Sequence, residues 1–172
     1  MKSNKLLFSV FLGLFFAVAA LAQTPSFSDP NVEYTFDVPD AEWKQTVKPS
    51  TTSPNVEYVF KDRSEAHLEI RRMPIKAGET LADTMGDEEQ RLQFLPGYVA
   101  GKEEDFKGAL NGRAFNYEFI RSARNMSGRF YFIKADDKTV YVLRFTGQRD
   151  KLRSLRNQTD SMARTFAVKK VK

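Results

Sequence analysis

The sequence contains no cysteine among its 172 residues, and this absence excludes a disulfide framework and any thiol or redox chemistry. Histidine is almost absent as well, because His67 is the only one. It lies two residues before Glu69 on a predicted strand, an arrangement typical of a surface histidine beside a carboxylate. A metal site needs three or four converging ligands, and the sequence offers no such set around His67.

Signatures of catalysis and of cofactor binding are missing too. Ser127-Gly128 lacks the Gly-x-Ser-x-Gly elbow of a hydrolase, and Gly108 and Gly112 lack the Lys-Ser/Thr of a phosphate-binding loop. Acidic pairs such as 103–105 are too close in sequence to place two carboxyl groups across a cleft. We therefore predict no catalytic residue, no metal ion and no cofactor, and a protein that is not an enzyme.

Long hydrophobic runs are absent except at the N-terminus. Residues 6–22 form an uncharged apolar run after Lys2 and Lys5, and the small residues Ala20 and Ala22 precede polar ones. This order is typical of a secretory signal peptide, so we expect residues 1–22 to be a signal peptide that is cut after Ala22. The alternative is an uncleaved membrane anchor, for which this run is marginal because a span needs about 20 residues.

Cleavage would leave residues 23–172 as a mature chain of 150 residues, which is the length of one domain. A chain of this size buries roughly 70% of its unfolded surface and needs no disulfide to fold. It has no second apolar run of spanning length, so we expect a periplasmic or secreted protein with no membrane span. Without Lys2 and Lys5 its net charge is only +3, spread along the chain, which argues against a nucleic-acid partner.

One seven-residue pattern occurs twice. PNVEYTF begins at Pro30 and PNVEYVF at Pro54, and apolar residues alternate with polar ones in both, as in a half-buried strand. The likeness ends after the phenylalanine, and 24 residues further on GETLADT predicts the start of a helix. A repeat protein needs a sustained period, so we interpret the two copies as separate strands.

The rest of the chain predicts a sheet with two helices. Thr80 and Asp83 form a capping-box pattern at the start of a helix that Pro96-Gly97 ends, and a second helix covers 149–166. The other predicted strands are 43–47, 66–73, 98–106, 113–121, 129–135 and 139–146. The last two are apolar on both faces, which indicates a sheet covered on both sides. We therefore predict an α+β fold, an antiparallel β-sheet flanked by a helix on each face.

Three segments carry a resemblance to a known family: YTFDVPDAEW, VYVLRFTG and the helix end MARTF. Together with the order of elements along the mature chain, they resemble the PsbP-like (PsbP/Mog-type) α/β/α sandwich superfamily. That fold is shared by an extrinsic subunit of plant photosystem II, a nuclear-import factor that binds the GTPase Ran, and many bacterial envelope proteins. The resemblance implies a single domain over 23–172 and a non-enzymatic accessory protein that acts through protein contacts. No Ran-binding or photosystem-binding residue matches a position here, so neither partner carries over.

The arginines are the candidate binding residues. Arg144 interrupts a strand that is otherwise apolar, where a charge should be paired or face a cleft. Arg121, Arg124 and Arg129 bracket the segment RSARNMSGR, which is either a solvated connector or a site for an anion or an acidic partner. The lone tryptophan, Trp43, either belongs to the core or offers a stacking surface.

These observations support two functions. The first is an exported non-enzymatic adaptor that contacts another envelope protein. The alternative is an envelope protein that binds a small ligand or anion in a concave site with arginine at its rim.

Overall fold

The computed structural model describes residues 25–76 and 78–169, and the predicted signal peptide, residues 1–22, lies outside them. Their strands are β1 Ser26–Ser28, β2 Tyr34–Asp37, β3 Trp43–Val47, β4 Val56–Phe60, β5 Ala66–Pro74, β6 Val99–Lys107, β7 Asn111–Arg121, β8 Arg124–Lys134, β9 Thr139–Gln148 and β10 Ala167–Val168. The helices are α1 Leu81–Leu92, α2 Arg149–Ser154 and α3 Arg156–Thr165. No helix in these ranges is long and apolar enough to cross a membrane.

The strands form two antiparallel sheets. The larger has seven strands in the order β3-β4-β5-β9-β8-β7-β6, and the smaller has three in the order β1-β2-β10. Neighbouring hairpins build each half of the large sheet, and the pairing of residues 66–74 of β5 with 139–147 of β9 joins the halves. The predicted α+β class with an antiparallel sheet is therefore confirmed.

The duplicated pattern gives one strand to each sheet. PNVEYTF supplies β2 of the small sheet, and PNVEYVF supplies β4 of the large one. The two strands face each other: the Tyr34 hydroxyl donates to the Pro54 carbonyl at 2.8 Å, and the rings of Phe36 and Tyr58 lie 5.7 Å apart. The interpretation as two strands is confirmed. Both strands bury their apolar residues in the same hydrophobic cluster, from opposite sides.

Alternate residues of the central strands enter two separate hydrophobic clusters. Tyr131 and Leu143 belong to a cluster that includes Met162 of α3 and the small sheet. Phe130 and Val142 belong to a second cluster, which includes residues of α1. Because successive side chains of a strand point to opposite faces, the two clusters lie on opposite sides of the large sheet. The continuous apolar pattern of β8 and β9 is explained by burial on both faces.

The predicted loop over residues 121–129 is wrong. Strands β7 and β8 form a tight hairpin in which Arg121 pairs with Arg124, and only Ser122 and Ala123 connect them. Both connecting residues have positive φ, 50° and 59°, as a two-residue turn of type I′ requires. Asn-Gly usually marks that turn, so Ser-Ala carried no signal and the start of β8 was placed five residues too late.

The helix boundaries differ in smaller ways. The predicted capping box is present, with the Thr80 side chain accepting from the Asp83 amide and the Asp83 side chain accepting from the Thr80 amide. The predicted helix over 149–166 is interrupted at Leu155, which ends α2 and precedes α3. No proline or glycine marks this interruption in the sequence.

The two phenylalanines at positions 166 and 94 provide a test of this core. Phe166 is fully buried between Tyr34 and Tyr141, whereas Phe94 is 89% exposed. We expect Phe166→Ala to lower the free energy of unfolding by about 3–5 kcal/mol, and Phe94→Ala to change it by less than about 0.5 kcal/mol. Urea unfolding of both variants measures the difference. Equal losses would contradict the packing described for this cluster.

Candidate functional site

The structure divides the four candidate arginines between the two faces of the sheet. Arg144 of β9 pairs in register with Phe130 of β8, so it shares the face of the second cluster. Arg129 is an immediate neighbour of Phe130 and therefore points to the opposite face. Arg121, at the end of β7, lines the same cavity as Arg144.

That cavity, which we call the arginine niche, has a volume of about 130 Å³. Strand β5 supplies two of its side chains and β9 another two, and the register places His67 opposite Thr146 and Glu69 opposite Arg144. The end of β7 and the β4–β5 connection complete it. The lining residues are Arg63, His67, Glu69, Arg121, Arg144 and Thr146.

Arg144 is held in a fixed position within the niche. Its Nε donates to the Tyr117 hydroxyl at 3.0 Å, and its guanidinium lies 5.4 Å from the centre of the Phe130 ring and 5.9 Å from that of Tyr117. A guanidinium over an aromatic face is stabilised by the ring quadrupole. The ring contacts and the single hydrogen bond engage one edge of the guanidinium and leave its terminal nitrogens for another acceptor.

The carboxylate nearest in register does not neutralise Arg144. Glu69 lies opposite Arg144 but forms its ion pair with Arg71, at 3.3 Å. Arg71 also binds the buried Glu88 of α1 at 2.8 Å, which ties this helix to β5. Within the described part of the chain Arg144 has no ion-pair partner, so a half-buried positive charge faces the niche.

Of the two other arginines, Arg121 adds to this charge and Arg63 is paired. Arg121 is exposed, and its guanidinium lies 5.2 Å from the ring centre of Phe119. Arg63 pairs with Glu57 at 3.0 Å on the rim. Three arginines therefore line the niche together with one carboxylate, Glu69, and the site favours an anionic group.

His67 is more buried than a surface histidine, and its partner is Glu57 rather than Glu69. Its Nε2 lies 2.8 Å from the Glu57 carboxylate, and its side chain is only 11% exposed. Burial lowers the pKa of His67 and the charge of Arg63 acts in the same direction, whereas the hydrogen bond with Glu57 opposes them. The net shift is downward, so His67 is neutral at neutral pH and adds no charge to the niche.

Arg129 belongs to a different network, on the far side of the sheet. It is buried, and its three nitrogens donate to the Tyr131 hydroxyl at 2.7 Å, Asn116 Oδ1 at 2.7 Å and Glu104 Oε1 at 2.8 Å. The hydrogen bond from Arg129 lowers the pKa of Glu104. Asp160 of α3 lies 3.4 Å from Arg129 and accepts from the Tyr131 hydroxyl. Arg129 thus connects β6, β7 and α3 to β8, and this role is structural.

Arg124 and Trp43 lie outside both the niche and the Arg129 network. Arg124 lies at the hairpin end opposite Arg121, and its charge adds to the hydrogen bonds from Ser64 that lower the pKa of Asp62. Trp43 belongs to the core, as one of its two alternatives predicted: it is buried, and its Nε1 donates to Gln158 Oε1 at 2.8 Å. Among residues 25–76 and 78–169 no three His, Asp or Glu side chains are placed to hold a metal ion.

Sequence reasoning identified Arg121 and Arg144 but missed the residues that support them. Tyr117 and Phe130 were assigned only to strands, Arg63 was noted near the first hairpin but not chosen as a binding residue, and Thr146 was assigned only to the end of a strand. The alternation of β7 does place Tyr117 on one face with Phe119, but the hydrogen bond of Tyr117 to Arg144 depends on β8 lying between β7 and β9.

The low pKa of His67 makes stability depend on pH. The pKa of His67 is about 6.5 in the unfolded chain and lower in the folded protein. At pH values between these two pKa values the unfolded chain binds the proton and the folded protein does not, so stability falls as pH falls below about 6.5. We expect His67→Gln to make the free energy of unfolding less sensitive to pH between 7 and 5, by at most about 1.4 kcal/mol per pH unit. Denaturant titrations at several pH values measure this. A variant with the same pH slope as the wild type would contradict the assignment.

The comparisons with known proteins bear on the fold. The sequence matches no protein-family model and no curated protein. Among solved structures it is similar to the Ran-binding protein Mog1p of Saccharomyces cerevisiae, with a TM-score of 0.61 and 11% identity over 85% of this chain and 95% of that one. It is also similar to cyanobacterial PsbP from Synechocystis sp. PCC 6803, with a TM-score of 0.57 and 16% identity over 91% and 98% of the two chains.

A third similar structure is LpqN of Mycobacterium tuberculosis, which is involved in cell envelope biogenesis. Its TM-score is 0.55 and its identity 14%, over 86% of this chain and 91% of that one. Identities this low establish the fold alone. The predicted resemblance is confirmed at that level: the chain has the PsbP-like fold that Mog1p and PsbP share.

Proposed function

We propose that the protein is an exported, non-enzymatic accessory protein of the cell envelope that contacts an acidic group of another protein through the arginine niche. The signal-peptide pattern of residues 1–22 supports export to the periplasm or beyond. The fold supports the rest of the proposal by analogy, because the similar structures include a Ran-binding protein and a protein of envelope biogenesis.

The arrangement of the layers explains why the niche is open. We infer a sandwich in which α1 covers one face of the large sheet, and α2 and α3 cover the other. On β9 the cluster that includes α1 ends at Val142, and Arg144 and Thr146 follow on the same face. The sheet continues beyond the cover of α1, and the niche occupies this uncovered end.

The observation that carries the proposal is the state of Arg144. A guanidinium presents a planar set of donors that matches a carboxylate. Because Tyr117 and Phe130 already fix the guanidinium of Arg144, its side chain loses little conformational entropy on binding. A side-chain or C-terminal carboxylate of a partner would meet Arg144 in the niche and Arg121 beside it.

The size of the niche favours a second candidate function, the binding of a free small anion. About 130 Å³ is the space of roughly four water molecules, which suits one carboxylate or phosphate group. In that case the niche recognises a solute instead of a protein surface.

Replacing the two niche arginines that have no ion-pair partner among the described residues tests the proposal. Arg121→Ala with Arg144→Ala deletes the positive charge of the niche, and we expect it to abolish capture of a partner in a crosslinking pull-down from intact envelopes. The matched control is Lys102→Ala with Lys107→Ala. It removes the same charge from exposed positions on the edge strand β6, which does not line the niche. The control should capture the partner as the wild type does.

Two results would count against this proposal. Equal capture by the wild type and by the Arg121/Arg144 variant would remove the niche from the interface. No specific capture by any of the three proteins would contradict an adaptor role and leave the free anion as the function of the niche.

A further inference from the structure

A second and larger cavity lies on the other face of the large sheet. It opens between the edge strand β6 and the helices α2 and α3, and its volume is about 520 Å³. Sites for small ligands usually have volumes of about 300–1,000 Å³. The floor carries Asn116, Ser127 and Arg129, and we call this cavity the basic cleft.

One wall of the basic cleft is a row of arginines. Arg149, Arg153 and Arg156 come from α2 and the start of α3, spaced four and three residues apart, so they lie on one side of the helices. The only carboxylate in the lining is Glu118. The lining therefore presents more arginines than carboxylates, and further carboxylates lie behind the arginines at Glu104, Asp150 and Asp160.

These three arginines are weakly paired. Arg149 lies 3.5 Å from Glu118 and 3.9 Å from Asp150, and Arg153 lies 3.8 Å from Asp150. Arg156 lies 3.7 Å from Glu104 and 3.8 Å from Asp160. Glu104 already accepts a hydrogen bond from Arg129 at 2.8 Å. The Nε of Arg149 is buried and has no acceptor among the described residues. Carboxylate contacts of 3.5 Å and longer are weak for guanidinium groups, so a ligand oxygen at their terminal nitrogens would form shorter charged hydrogen bonds.

The mouth of the basic cleft is apolar. Val99, on its rim, is 59% exposed and pairs in register with Glu118. Ile120 does not line the cavity, but it follows Glu118 by two residues on the same face of β7 and is 43% exposed, so it adjoins the cleft. Leu152 lines the interior. Two exposed apolar side chains therefore adjoin the cationic wall of the cleft.

We propose that the basic cleft binds an amphiphilic anion. Its carboxylate or phosphate group contacts Arg149, Arg153 and Arg156, and its short aliphatic chain lies along Leu152, Val99 and Ile120. A purely polar anion leaves the apolar rim uncovered, and a neutral amphiphile leaves the arginines with only their carboxylate contacts of 3.5–3.9 Å. This site is on the face opposite the arginine niche and shares no residue with it, so it is independent of the proposed adaptor function.

Calorimetric titration with octyl phosphate, below its micellar concentration, tests the proposal. We expect binding by the wild type and at least about tenfold weaker binding by Arg149→Gln with Arg153→Gln, because each charged hydrogen bond contributes more than the energy of one decade of affinity. Both side chains are partly or largely exposed, so these changes should leave the fold intact, which circular dichroism checks. Val99→Thr with Ile120→Thr should weaken octyl phosphate binding while preserving β-branched side chains on the strands.

Control ligands separate the two parts of the proposal. The comparison with inorganic phosphate uses Arg121→Gln with Arg144→Gln, so that the niche contributes no phosphate binding. Inorganic phosphate that binds this variant as tightly as octyl phosphate does would overturn the role of the apolar rim. Octyl glucoside that binds as tightly would overturn the role of the arginines. Arg121→Gln with Arg144→Gln should bind octyl phosphate normally, and loss of binding in this variant would place the ligand in the niche and overturn the assignment.

Vesicles distinguish a free amphiphile from a membrane lipid. Cosedimentation with vesicles of phosphatidylglycerol and phosphatidylcholine, but not of phosphatidylcholine alone, identifies a lipid headgroup as the source of the anion. Binding of octyl phosphate without cosedimentation identifies a free amphiphile. A protein that neither binds octyl phosphate nor cosediments with the vesicles would overturn the proposal.

Discussion

The antiparallel pairing of β5 with β9 is the interaction on which the rest of the structure depends. It joins a half-sheet from the first part of the chain to another from the second part, across the segment that contains α1. The same register sets Glu69 opposite Arg144 and His67 opposite Thr146. A shift by one residue would move each of these side chains to the other face and bury charges in the cluster around Tyr131 and Phe166. One pairing therefore fixes both the core and the niche.

The two faces of the sheet differ in the partners that surround their arginines. Arg129 is surrounded by acceptors from three other elements, so its charge is neutralised within the fold. Arg144 is supported by two aromatic rings and one hydroxyl, and its charge is not neutralised by a described carboxylate. A half-buried charge without an ion-pair partner costs stability, and such a cost is typical of a functional site. This difference, more than the number of arginines, separates a structural residue from a candidate binding residue.

The sequence predicted those features that depend on local pattern. Alternation identified β2, β4 and β5, the capping box at Thr80 was correct, and apolar residues on both faces of β8 and β9 indicated burial on both sides. Features that depend on distant partners were missed. The sequence does not show which of Arg129 and Arg144 is neutralised. Arg129 binds Glu104, which lies 25 residues earlier in the chain. Arg144 binds the hydroxyl of Tyr117, which lies 27 residues earlier. The Ser122-Ala123 turn was missed because its geometry is enforced by the flanking strands and not by the usual turn residues.

The central claim is that Arg144 is a fixed, unpaired cation that receives an anion. Its most direct test is the side-chain Nε–H signal of Arg144 in a ¹H–¹⁵N NMR spectrum, assigned with Arg144→Lys and followed as phosphate is added at constant ionic strength. The account predicts a signal protected from solvent exchange by the hydrogen bond to Tyr117, which shifts in a saturable manner with phosphate and loses its protection in Tyr117→Phe. A signal that exchanges rapidly with solvent, or one that phosphate does not shift, would contradict it.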